Sequence, residues 1–144
     1  MSRAQYAAAS FKQGFSCSQA VFSAFSELFE LDLQKALKIS QPLGGGIARM
    51  GLTCGAVTGA LLVIGLKYGR TRPEDEQAKE KTYALAHDFI REFKARHATI
   101  VCRELIGVDL GTAEGHKQAV EQGVFENLCS RFVQDAVQIL EQIL

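Results

Sequence analysis

The sequence predicts an all-α protein, a single-domain bundle of about six to eight helices around a buried central helix at about 54–68. Three observations predict it. Apolar residues recur at offsets of three and four along most of the chain, and no segment alternates as a strand for long. Cap residues and stop glycines punctuate those stripes. Proline occurs only twice, while Ala, Leu, Gln, Glu and Lys are plentiful.

The elements follow in order. Ser2 caps a first helix that ends at Gly14. Ser16-Cys17-Ser18-Gln19 is a capping box, with serine at the N-cap and glutamine at N3. The stripe Cys17, Ala20, Val21, Ala24, Phe25, Leu28 then forms one helical face that includes the cysteine. A short helix is expected from about Asp32 to Ile39. Pro42 and Gly44-Gly45-Gly46 interrupt the pattern, and Thr53 is expected to cap a helix from Cys54 to Tyr68 with Gly69 as its stop. Thr71-Arg72-Pro73-Glu74-Asp75-Glu76 combines proline at a first-turn position with acids at the positive helix end, and its helix runs to about His97. Thr99 is expected to cap a short helix holding Cys102, Leu105 and Ile106, stopped by Gly107. Thr112 opens another that ends at Gly123, and the last helix begins between Asn127 and Cys129.

The 144 residues suffice for one domain, 1–144, with its own core. A net charge of zero gives no global field toward nucleic acid or anionic lipid, so neither partner is expected. The N-terminus has no apolar run of the length a secretory signal requires, and the chain reads as cytoplasmic, where thiols stay reduced.

The stretch GLTCGAVTGALLVIG, Gly51 to Gly65, admits three readings. Seventeen uncharged residues separate Arg49 from Lys67, short of the roughly 20 a membrane helix needs, and glycines lower the hydropathy further. A buried bundle helix explains it better, with Gly55 and Gly59 admitting a close neighbour. Gly46 to Thr53 approaches a phosphate loop, but leucine replaces its lysine and no strand precedes it. The third reading mounts a thiol: Cys54 opens its helix, where the amides favour a thiolate.

All four cysteines follow that pattern. Cys17, Cys54, Cys102 and Cys129 each stand at or near an expected helix start and begin an apolar stripe, so the four sulfurs are expected to converge at one end of the bundle. The opposing view treats each as a small buried hydrophobe. Gaps of 36, 47 and 26 residues contain no C-x-x-C, so neither a thioredoxin motif nor a zinc knuckle is present. Three pairings are open, as is a four-cysteine iron–sulfur cluster or zinc site.

These residues resemble the C-GCAxxG-C-C proteins, a family proposed to be redox-active. Cys17 in SCSQAV fits the first cysteine, Cys54-Gly55-Ala56-Val57-Thr58-Gly59 the central element, Cys102 in CRELIGVDL the third and Cys129 in CSRFVQDA the fourth. Here Cys54 precedes Gly55, whereas the family name reads Gly-Cys-Ala. The resemblance implies redox activity. Similar domains joined to haem-binding segments suggest electron transfer, but the chain has no C-x-x-C-H for covalent haem.

The functional expectation is thus thiol–disulfide exchange or electron transfer with an unspecified redox partner. Cys54 is the candidate nucleophile, Cys17 the first choice of resolver, and Thr53, Gly55, Ala56 and Gly59 support the site. A metal centre on the same four cysteines is the alternative. A non-redox helical interaction module is the third reading, with Ile139, Ile143 and Leu144 forming a homodimer seam or completing the core. His87 and His97 are expected to face solvent, Arg103 and Glu104 to form a solvated pair, and Asp109 to serve a turn.

Overall fold

The computed structural model describes all residues, 1–144. Eight α-helices follow one another: α1 Arg3–Gln13, α2 Cys17–Ser26, α3 Leu33–Ser40, α4 Gly55–Tyr68, α5 Glu76–His97, α6 Cys102–Ile106, α7 Ala113–Glu121 and α8 Ser130–Ile143. No strand forms, and a lone antiparallel bridge joins Thr53 to Val101. No helix is long and apolar enough to cross a membrane.

The caps explain most boundaries. Ser2 and Ser16 each accept a bond from the N3 amide, and Gln5 and Gln19 return one, so both capping boxes are complete. Gly14 and Gly107 close their helices in the left-handed conformation, at φ +116° and +73°. Asp32 caps α3 and Thr112 caps α7. Three starts differ from expectation. Thr53 does not cap α4, because the bridge to Val101 takes its backbone, and Cys54 itself occupies the N-cap. Asp75 caps α5, leaving Pro73 in the turn before the helix rather than in its first turn, and Val101 rather than Thr99 precedes α6, where no side chain caps.

α4 is the central helix. It packs chiefly on α2 and also against α5 and α8, while α1 lies across α2 and α8. The α2–α4 approach is close because Gly59 lacks a side chain: a Cβ there would stand 2.8 Å from the Ser18 carbonyl oxygen. The apolar core is continuous through Val21, Phe25, Val57, Ile64, Phe89, Phe93, Val133 and Leu140. Burying one such side chain is worth roughly 1.5–3 kcal/mol.

Ile139 is fully buried, so it cannot belong to an exposed dimer seam; Ile143 and Leu144 pack partly against the core. His97 is also not a solvent group. Its ring stacks between Phe93 and Phe132, and Nε2 lies 2.8 Å from Asp135 Oδ2, whereas His87 is exposed. The last helix enters through a π-helical turn, Phe125–Cys129, that runs into α8 without a break.

Candidate functional site

The four cysteines line one cavity of about 1140 Å³ at the end of the bundle. They lie at separate positions in sequence, and different local devices bring each one there.

Cys17 is the first residue of α2, held by the Ser16 capping box. Cys54 and Cys102 arrive together. The Cys54 amide donates to the Ile100 carbonyl at 2.7 Å, and the Cys102 amide donates to the Leu52 carbonyl, flanking the Thr53–Val101 bridge. Residues next to an antiparallel bridge pair share one face of the ribbon, so both side chains leave it on the same side. Cys129 ends the π-helical turn. Such a turn carries one residue more than α geometry needs and recurs at functional sites.

Three cysteines therefore stand at helix starts, as expected, but Cys129 does not. Its backbone is helical on both sides. All four are free thiols. Cys54, Cys102 and Cys129 are buried and Cys17 is half-buried.

The glycines of the central element give room. A Cβ on Gly55 would lie 3.2 Å from Cys17 Cβ, and one on Gly46 only 2.6 Å from Cys102 Cβ. Gly55 and Ala56 form the buried first turn of α4, and Gly59 sets its spacing from α2.

Charge around the sulfurs departs from the helix-start argument. The Cys54 thiol is pushed up to about 12 by burial; the amides of Ala56 and Val57 favour its anion but do not offset the loss of water. Neither amide makes a regular cap bond to that side chain. Burial raises Cys102 to about 11, with Cys129 adding to the rise and Arg103 opposing it.

Cys17 and Cys129 behave as a pair. The neighbouring Cys17 thiol favours the Cys129 anion and lowers Cys129 below the ordinary thiol range against the effect of burial. The Cys129 sulfur beside it, then burial and the charges of the other three sulfurs, raise Cys17 well above it. The two thiols titrate as a pair, in which an anion is favoured on Cys129 over Cys17. Sequence spacing carries no signal for this, since the two residues meet only through the packing of α2 on α8.

Arg103 turns away from Glu104. Its NH2 donates to the Met50 carbonyl at 3.1 Å and lies 3.7 Å from Asp109, which also accepts from the Gly111 amide. Glu104 accepts from Thr99 instead. No group of three or more His, Cys, Asp or Glu side chains is arranged to hold a metal ion.

A family described as "Putative redox-active protein (C_GCAxxG_C_C)" matches residues 15–143. The chain belongs to that family. Membership supports a redox role in general. No curated protein and no solved structure gives a significant match.

Beyond the cysteines, the cavity wall includes Phe11, Phe15, Phe125, Lys12 and Arg49. The sequence reading missed the aromatics. Phe11 and Phe15 flank the Gly14 stop, and Phe125 lies four residues before Cys129; that clustering at helix ends was the available signal.

Proposed function

We propose that the protein carries out thiol–disulfide exchange in a reducing compartment such as the cytoplasm, with Cys129 as nucleophile and Cys17 as resolving thiol. One observation carries the reading: four free cysteines from distant parts of the chain line one cavity, with the Cys17 and Cys129 thiols near enough to shift each other's ionisation.

The Cys129 thiolate attacks one sulfur of a disulfide substrate. The substrate S–S bond breaks, a mixed disulfide forms on Cys129, and the leaving thiolate takes a proton from water. Cys17 then loses its proton to solvent, and its thiolate attacks the Cys129 sulfur. The second leaving thiolate departs and a Cys17–Cys129 disulfide remains. The substrate gains two electrons and the protein pair loses two. Cys54 and Cys102, held protonated by burial, are the slower thiols. The role assigned to Cys54 from its helix position passes to Cys129, because an anion is favoured there.

The test is a trap. Reduced Cys17→Ser protein treated with a small aromatic disulfide accumulates a mixed disulfide that peptide mass spectrometry locates on Cys129. Adduct on Cys54 instead, or no adduct at all, overturns the assignment.

A further inference from the structure

We propose that the cavity takes a low-molecular-weight disulfide bearing carboxylate groups, with Arg49 and Lys12 holding the carboxylates and the S–S bond presented to the cysteines. This rests on the thiol–disulfide reading above and adds the class of substrate.

Access argues for a small molecule. Cys54, Cys102 and Cys129 are each at most 7% exposed, and all three line the cavity. A disulfide in a folded protein cannot follow them in without unfolding locally, whereas about 1140 Å³ accommodates a small organic molecule.

Charge argues for an anion. Arg49 and Lys12 line the cavity, and neither takes part in any ion pair or side-chain hydrogen bond of the protein. Glu126 is the one acidic side chain on the wall. Two unpartnered cations beside an apolar wall match an anion with an apolar body.

The backbone fixes Arg49. Residues Gly45 to Arg49 all have positive φ, from +49° to +69°, forming a short left-handed turn that includes Ile47 and Ala48. Left-handed geometry costs an L-residue about 1–2 kcal/mol. Bonds from the Arg49 amide to Gly44 O at 3.2 Å and from the Leu52 amide to Gly46 O at 2.9 Å hold it. A Cβ on Gly45 would meet Arg49 Cα at 2.9 Å and Cγ at 3.0 Å, so the base of the arginine rests on bare glycine backbone. Phe11, Phe15 and Phe125 supply the apolar surface.

The step is that of the preceding section: the small disulfide leaves as two thiols and the protein as the Cys17–Cys129 disulfide. The experiment measures single-turnover reduction of 5,5′-dithiobis(2-nitrobenzoate), an anionic aromatic disulfide, and of neutral 4,4′-dithiodipyridine, with oxidised insulin as the protein disulfide. Each rate is divided by that of free dithiothreitol. The anionic-to-neutral ratio is expected to exceed one by about tenfold. It falls toward one in Arg49→Gln/Lys12→Gln and stays unchanged in Lys38→Gln, a surface control on α3. Should the double variant fold poorly, added salt on the native chain gives the same readout, since screening slows only the anionic probe. A ratio near one, or insulin reduced as fast as the small probes, overturns the substrate class while leaving exchange intact. Failure to reduce any of the three overturns both.

Discussion

Cys54 stands at the open end of a fourteen-residue helix, with bare amides behind it. Cys129 stands inside a continuous helical path whose ends lie elsewhere. An electrostatic argument from helix position alone makes Cys54 the anion. The order is reversed, because burial raises Cys54, while the neighbouring Cys17 thiol lowers Cys129. A helix end supplies a partial charge of roughly +0.5. Once water is excluded, a specific neighbour counts for more than that diffuse field.

Removing that neighbour breaks the contrast most directly. In Cys17→Ala, labelling of Cys129 by iodoacetamide at pH 7 slows by more than about tenfold, as its thiolate loses its partner. Cys54→Ala leaves that rate within about twofold. Equal effects from both variants would show that the sulfur pair does not set reactivity. A wedge tests the same geometry without touching a thiol. Gly59→Ala drives a methyl against the Ser18 carbonyl and pushes away the helix that carries Cys17. Stability falls by about 1–3 kcal/mol in urea titration, and Cys129 labelling slows with it. Gly65→Ala, on the same helix with nothing within 4 Å, is the counterpart and gains about 0.5–1 kcal/mol.

Alkaline titration sharpens the comparison by sign. Cys54 and Cys102 have folded values near 12 and 11 against an ordinary thiol near 9. Their contribution is complete below pH 9 and is lost as pH rises from 9 through those values, because the unfolded chain ionises first. The slope is at most about 1.4 kcal/mol per pH unit for each thiol. Cys129 runs the other way: its contribution is present above the ordinary value and is lost as pH falls through its lowered one. Urea midpoints of Cys54→Ala decline less steeply above pH 9 than those of the native chain; parallel curves would refute burial as the cause.

Helix content was legible because each signal is local. Ser2, Ser16, Asp32 and Thr112 cap helices that begin one residue later, and Gly14 and Gly107 stop theirs. Thr53 misled because a cap and a bridge partner look alike in sequence, and the choice depended on Val101, far along the chain. The convergence of the cysteines was also within reach, since each opened an apolar stripe. Their protonation order was not, because it depends on how α2 meets α8 and on how much water remains. His97 was misread for a related reason: its helix is polar overall, yet its last turn leans on Phe132 and Asp135.

The Thr53–Val101 bridge has a consequence for assembly. It closes a loop of about fifty residues, an entropic cost that grows with the logarithm of loop length and that nearest-neighbour helix contacts avoid. Helices with local partners form on faster timescales than such a closure. Cys54 and Cys102 are therefore brought side by side late in folding, and until then both thiols remain open to any oxidant the nascent chain encounters.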